Sequence, residues 1–431
     1  MMKATLETIN TVSQAVSVEV SPEMVTQCRV QALAQVGKEM KVPGFREGKI
    51  PPEMVAQRLR PEALAREIAE TVVRATYLDA IRQVGARPIS DPHIEAKPYE
   101  ASKPFHYRAV FDVYPTVVVD EYAGFKLECQ EVEVSDAEMT GELEVLRQRM
   151  TQLEPVTDAT VDAGMVALID FKGTAGGKPF TGSEAKNFVV DYGAGRLLSQ
   201  FETEIRGMKA GEHRHITFTY PNDYFNKDVA GKAGEFDVEV KDVRRKIVPE
   251  LDDDFAKGVG KQNLAEVRDD IRKRIGEVKE ELERRKLHRQ VIEELAKKYP
   301  IDVPETMISA ELSSMLEGFN RELEARGQTL EQAGVTAEIF VKQNYEEAKL
   351  RTRGFLLVSA IAKKENLAVT PDERETRLNL LSARLGQPLP QLKAHIEKNN
   401  LLPRIEGELL LEKALDFVVA KSKIKRVKPK K

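Results

Sequence analysis

The chain has no tryptophan, only two cysteines and only six histidines among its 431 residues. Cys28 and Cys129 lie far apart and share no metal-ligand spacing, so neither a disulfide framework nor a zinc site is expected, and free thiols in a reducing cytoplasm are the simpler reading. No run of about 18 apolar residues occurs, which removes a membrane-spanning helix from consideration. The first residues, Met1 to Gln14, bring neither a basic n-region nor an apolar h-region, so no secretory leader is expected. Charge of one sign is also missing. With 66 basic and 70 acidic side chains the formal net charge is -4. No global field favours nucleic acid or a membrane, and an ionic partner has to be met by a local patch.

What is present is apolar matter in ordered patterns. Hydrophobic residues make up 41% and charged residues 32%, enough for real cores under a heavily solvated exterior. At roughly 150 residues per domain the length suggests about three domains. Val16, Val18 and Val20 alternate with polar residues, the period of a half-buried strand. Ser21-Pro22-Glu23 then reads as an N-cap with proline at the first helical position, opening a helix that runs to about Lys41. A longer helix is expected over Pro61–Val84, with Leu64, Ile68, Val72 and Leu78 on its inner face. Phe105, Tyr107, Ala109, Phe111 and Val113 mark a strand, and residues 1–115 read as a small α+β domain.

Residues 116–156 form a linker and a first helical piece, opened by the capping-box pattern Ser135-Asp136-Ala137-Glu138. Glycine, β-branched residues and short alternating runs dominate 157–246; strands are expected at Val166–Phe171, His215–Phe218 and Phe236–Val240. From 247 to 431 the period is helical again, with Leu264, Val267, Ile271, Ile275, Val278 and Leu282 in one stripe and a capped start at Thr370-Pro371-Asp372-Glu373. The fold class expected is α+β multidomain: an N-terminal α+β domain, an antiparallel β-sheet with a helix in the middle, and a discontinuous all-α C-terminal domain. A basic tail from Lys421 to Lys431 reads as solvated and disordered.

Two segments carry function. In the β-rich module Phe171, Lys178-Pro179-Phe180, the run Phe188 to Glu202, Gly207-Met208-Lys209-Ala210-Gly211-Glu212 and Pro221-Asn222-Asp223-Tyr224 follow one another in an order that resembles the FK506-binding protein family. The resemblance implies a prolyl isomerase whose apolar pocket is lined by Phe171, Phe180, Phe188, Leu197, Leu198, Phe201, Tyr224 and Phe236. The chemistry needs no acid, base, metal or cofactor. The barrier to peptide rotation is about 18–20 kcal/mol because the twisted amide loses resonance. A dry aromatic pocket can favour that less polar state. Two departures bear on catalytic strength: Gln200 stands where related modules commonly have glycine, and Thr181 where many FK506-binding proteins are acidic.

The second segment is Pro43-Gly44-Phe45-Arg46-Glu47-Gly48-Lys49-Ile50-Pro51, a glycine and proline loop between two expected helices. It puts an aromatic beside Arg46 and Lys49, a patch suited to an anionic, partly apolar partner. This string resembles the ribosome-binding signature of the trigger-factor family. The resemblance implies docking on the large ribosomal subunit near the exit tunnel, to protein and also rRNA, through Gly44, Phe45, Arg46, Gly48, Lys49 and Pro51, with Glu47 where relatives often have a basic residue. It further implies a cytoplasmic chaperone with a part in protein export and cell division, whose helical flanks hold nascent and unfolded polypeptides. The family also implies a homodimer off the ribosome and no membrane partner. Two other readings stay open: a free cytosolic prolyl isomerase with helical dimerisation flanks, and a non-catalytic holdase. His213 and His215 share a strand face, but with no further ligand cluster nearby they do not make a metal site.

Overall fold

The computed structural model describes residues 2–40, 50–100, 102–180, 182–195, 197–224 and 226–428. The chain begins with β1 (Met2–Thr8), β2 (Ser13–Val20), α1 (Pro22–Glu39), α2 (Pro52–Arg58), α3 (Pro61–Val84), β3 (His93–Ala96), β4 (Phe105–Asp112) and β5 (Lys126–Gln130). Next come α4 (Asp136–Arg149), β6 (Gln152–Pro155), β7 (Met165–Ala175), β8 (Glu184–Asp191), α5 (Ser199–Ile205), β9 (His213–Thr219) and β10 (Ala233–Ile247). Helices complete it: α6 (Asp253–Gly258), α7 (Leu264–Lys298), α8 (Glu305–Ala325), α9 (Ala337–Lys364), α10 (Pro371–Leu385), α11 (Leu389–Lys398) and α12 (Leu402–Ala420), followed by β11 (Lys423–Val427). No described helix is long and apolar enough to cross a membrane.

These elements form two compact units, one from residues 1–130 with 283–428 and the other from 131–282. The fold class expected from sequence holds in both: an α+β N-terminal part, an antiparallel sheet with a short helix, and a helical body made from separated stretches. In the first unit the sheet runs β1-β2-β4-β3, all antiparallel. Val16, Val18 and Val20 and the alternating Phe105, Tyr107, Ala109 and Phe111 are buried against Ile68 and Val72 of α3, as period two on one side and period 3.6 on the other require. Leu78, expected on the inner face, is exposed; Thr76 and Ala80 hold that face instead, and the Thr76 hydroxyl hydrogen-bonds Tyr107 Oη at 2.9 Å. Ser21 occupies the N-cap of α1, yet its side chain accepts no capping bond. It hydrogen-bonds Glu23 instead, which holds that carboxyl below its usual range.

The helical body of this unit packs Val291 and Leu295 of α7, Leu357 and Ile361 of α9 and Ala414 and Val418 of α12 around Leu127 of β5. Gly354 lets α9 approach α7 closely, since a Cβ there would stand 2.5 Å from Ile292 Cγ2. An ionic cluster ties α7 to α12. Asp416 accepts from Arg284 at 2.7 Å and from His288 Nε2 at 2.7 Å. The tail expected to be disordered is ordered from Lys423 to Val427, paired in parallel with β5; backbone pairing to an available strand outweighs the solvation of its lysines.

The second unit has its own two cores. One joins Leu143 of α4 to Phe255 of α6 and to Val267 and Ile271 of α7, so the stripe read from sequence is partly inside. Val278 and Leu282, later in that stripe, are exposed. The Ser135 capping box forms as expected. The other core belongs to the sheet β6-β10-β7-β8, with β9 on β10, wrapped against α5.

Burial opposes ionisation of Asp416, but hydrogen bonds from His288 and Arg284 outweigh it and hold the carboxyl down at about 2. A depressed pKa contributes stability above the ordinary carboxylate value of about 4 and loses it as the pH falls towards 2. Because the side chain is 45% exposed, screening reduces the contribution to about 1 kcal/mol. Asp416→Asn should therefore lower urea stability by about 1 kcal/mol at neutral pH, and the gap to wild type should narrow below about pH 4. A gap constant from pH 7 to 3 would contradict this account.

Candidate active site

The site is built where β7, β8, β9, β10 and α5 meet. Phe236 of β10 is 4% exposed and lies at the centre of an aromatic cluster. Its ring centroid is 6.0 Å from that of Phe171, 6.4 Å from Phe180 and 5.7 Å from both Phe201 and Phe218. Three of these contacts are tilted or edge-to-face, and Phe218 stacks at 10°. Edge-to-face pairs contribute about 0.5–1.5 kcal/mol each beyond area burial, so Phe236 is held in one orientation.

Two glycines make room for the rings of this cluster. A Cβ on Gly173 of β7 would stand 2.2 Å from Phe236 Cδ1, and one on Gly234 would stand 2.9 Å from Tyr220 Cε2. Any larger residue at Gly173 has to displace the ring. On β8 a bulge sets the parity. Ile169 faces Phe188 and Phe171 faces Ala185, so β8 spends one extra residue there. Asn187 takes φ 53°, a left-handed conformation asparagine tolerates, and its N–H donates to Asp170 Oδ1 at 2.6 Å. Lys241 and this amide keep the Asp170 carboxyl below its usual range. Strict alternation from Ala185 would put Asn187 and Val189 on the inner face. The bulge puts Phe188 and Val190 there instead, and Phe188 meets Phe171 edge-on at 5.6 Å.

α5 supplies Phe201 and Ile205, one turn apart and both buried. Exposure is graded across the cluster. Phe201 and Phe236 are buried; Phe171, Phe180, Leu197, Leu198 and Tyr224 are half-buried, and Phe188 is 38% exposed. All eight residues expected to line the pocket thus pack in or against this one cluster, two of them buried and six at least partly exposed. Gln200 is exposed on α5 and takes no part in the floor. Thr181 lies outside the described residues.

Two aromatics were not among the expected residues. Phe218 stacks on Phe236, and Tyr220 packs on Phe180, Phe218 and Tyr224 at 6.2, 5.0 and 5.1 Å. Burial and the neighbouring Tyr224 push the Tyr220 phenol up to about 12, so it stays neutral. The alternation Ile216, Phe218, Tyr220 carried that signal, since the three share one strand parity. His213 and His215 face outwards, His215 Nδ1 lying 2.7 Å from Asp237 and His213 Nε2 3.7 Å from Glu239. Among the described residues no group of three His, Cys, Asp or Glu side chains is placed to hold a metal ion.

The second expected site, the loop after α1, is described only at its root. Gly44, Phe45, Arg46, Glu47, Gly48 and Lys49 lie outside the described residues. Pro51 is exposed at the N-cap of α2, and Ile50 is buried with Leu33 of α1 and Val55 of α2.

An antiparallel sheet folded on one short helix around an aromatic cluster, set between helical stretches, is the architecture of a prolyl isomerase module of FK506-binding type within a chaperone scaffold. Comparison with known proteins agrees. Residues 2–146 match the model of the bacterial trigger factor protein family and 263–420 that of its C-terminus, while 157–241 match the FKBP-type peptidyl-prolyl cis-trans isomerase family. The trigger factor of Halothermothrix orenii is 33% identical over 407 residues, covering 93% of this chain and 95% of that one. That of Carboxydothermus hydrogenoformans is 32% identical, covering 98% and 100%, and that of Bacillus subtilis 31% identical, covering 94% and 96%. The chain belongs to the trigger-factor family: it is a ribosome-associated chaperone that binds nascent chains and carries a peptidyl-prolyl isomerase.

Gly173→Ala tests the floor. The methyl group has to push Phe236 aside, at a cost of about 1–3 kcal/mol in stability of the module. Isomerisation of a prolyl peptide should slow by roughly tenfold or more in kcat/KM. Wild-type stability and rate in this variant would contradict the close approach.

Proposed function

We propose that X-Pro isomerisation takes place in the concavity formed by Phe171, Phe180, Phe188, Leu197, Leu198, Phe201, Tyr224 and Phe236. The observation that carries this reading is the Phe236 ring fixed by four others beneath a rim of partly exposed apolar residues. The prolyl ring sits on the floor of Phe201 and Phe236. The amide before it gives up hydrogen bonds to water more readily when twisted than when planar, because twisting uncouples the nitrogen lone pair from the carbonyl. A water-poor wall therefore lowers the barrier with no bond broken and no proton moved.

The loop at Gly44, Phe45, Arg46, Gly48, Lys49 and Pro51 is the ribosome contact in this proposal, on the large subunit beside the exit tunnel, with protein and rRNA both in reach of its arginine and lysine. The helical body holds clients. In its support, Phe355 is 41% exposed between two clefts of about 410 and 470 Å³, and Ile339 and Val341 are also exposed. Such scattered, exposed apolar groups suit partners of many sequences. The reading places the chain in the cytoplasm, as a homodimer when off the ribosome.

Two variants separate the parts. Phe201→Ala should abolish most of the acceleration in a proline-limited refolding assay, a loss of roughly tenfold or more, while co-sedimentation with ribosomes stays at wild-type level. Unchanged acceleration removes the pocket assignment. Phe45→Ala with Arg46→Ala should do the reverse, releasing the chain from ribosomes with its isomerase rate intact; full retention on ribosomes sinks the loop assignment.

A further inference from the structure

We propose that the outer edge of β11 is a docking strand for an acidic, extended polypeptide segment, which would join β5 and β11 as a third strand. Three observations converge on it. The first is an open ladder. β11 pairs in parallel with β5, Lys423 opposite Lys126 through Val427 opposite Gln130, and the Lys423 N–H donates to Phe125 O at 2.7 Å. In a parallel pair alternate residues face the partner, so Lys423, Lys425 and Val427 turn their backbone groups to β5 and Ile424 and Arg426 turn theirs away. Among the described residues no backbone group takes up those of Ile424 and Arg426.

The second is asymmetry. The far edge of β5 is already closed by side chains of α7: the Glu128 N–H donates to Gln290 Oε1 and the Gln130 N–H to Glu283 Oε2, each at 2.8 Å. Gln290 Nε2 returns a bond to Glu128 O. The fold thus caps one edge of this sheet and leaves the other bare.

The third is charge. From Lys421 to Lys428 the chain carries Lys421, Lys423, Lys425, Arg426 and Lys428 and no acidic residue. Lys425 pairs with Glu128 and Lys421 with Glu365. Lys423, Arg426 and Lys428 have no carboxylate partner among the described residues. Strand parity puts Lys423 on one face and Arg426 and Lys428 on the other, so an added strand meets positive charge whichever way its side chains point. Lysine on an edge strand ordinarily keeps other strands away. Here the same lysines discriminate: neutral and basic strands lose, while an acidic one gains main-chain bonds and ion pairs together. Ile424, 42% exposed, gives the incoming strand an apolar contact between the charges.

The test uses the full chain and a fluorescent peptide of alternating glutamate and valine, with binding read by anisotropy at low salt. Wild type should bind, and Lys423→Glu with Arg426→Glu should weaken binding roughly tenfold or more while circular dichroism stays unchanged. The same peptide N-methylated at every residue keeps every charge but can donate along neither edge, and should also bind roughly tenfold more weakly or worse. Failure of wild type to bind overturns the proposal. So does unchanged affinity in the double variant, or equal binding of the methylated peptide, which would reduce the effect to point charges. A single-stranded oligouridylate of equal charge that binds more tightly and displaces the peptide would assign the strand to RNA and overturn it as well. None of these outcomes depends on Phe201 or Phe45.

Discussion

The isomerase module depends on one close approach, the Phe236 ring lying against the bare backbone of Gly173. With a Cβ at 2.2 Å from the ring no rotamer change of Phe236 alone clears the clash, since its other sides are held by Phe171, Phe180, Phe201 and Phe218. The strand backbone, the ring and the helix α5 therefore fix one another. In the proposed site, catalysis without a nucleophile leaves the protein only shape, dryness and rigidity to work with. A floor that could shift would accept the planar and the twisted amide equally well, and uniform binding does not speed the step. The glycine is what turns a set of phenylalanines into a surface of one shape.

The bulge at Asn187 does the corresponding work for the rim. It changes which residues of β8 face inward, trading Asn187 and Val189 for Phe188 and Val190. The trade is held by backbone and ion-pair contacts on the opposite face, where Asp170 takes the Asn187 N–H and the Lys241 ammonium. A polar network on the solvent side of the sheet thus sets an aromatic wall on the other side.

Much of this was legible in the sequence. Period two in β2 and β4, the bounds of α3, the capping boxes at Ser135 and Thr370 and the ordered aromatics of the β-rich module are local signals, decided within a turn or a strand. What was not legible depends on partners distant in sequence. Leu78, Val278 and Leu282 fit a helical stripe, but whether a stripe is covered depends on what packs there. The tail after Lys421 reads as solvated until β5, nearly 300 residues earlier, offers it a ladder. Phe218 and Tyr220 had the right parity, yet only the placement of β9 beside β10 shows them joining the cluster. The bulge at Asn187 is of the same kind, since register is a property of two strands.

On the proposed reading, one chain combines two opposite solutions to binding polypeptide. The aromatic cluster is preorganised: its rings are locked by one another, and what the proposed site would gain from a prolyl segment is not spent on ordering itself. The helical body does the reverse. Its α7, α8 and α9 are long, heavily charged and only partly covered, with Phe355, Ile339 and Val341 in water. A surface of that kind binds each partner weakly but few of them badly, because long side chains on helices can repack at a cost of only about 0.5–1.5 kcal/mol each. Rigidity in the one suits a single chemical step repeated on any proline. Tolerance in the other suits segments whose sequence is not known in advance. The two properties cannot be built on the same surface, which is a physical reason for the antiparallel sheet to be set as a separate core within a helical chain rather than merged into it.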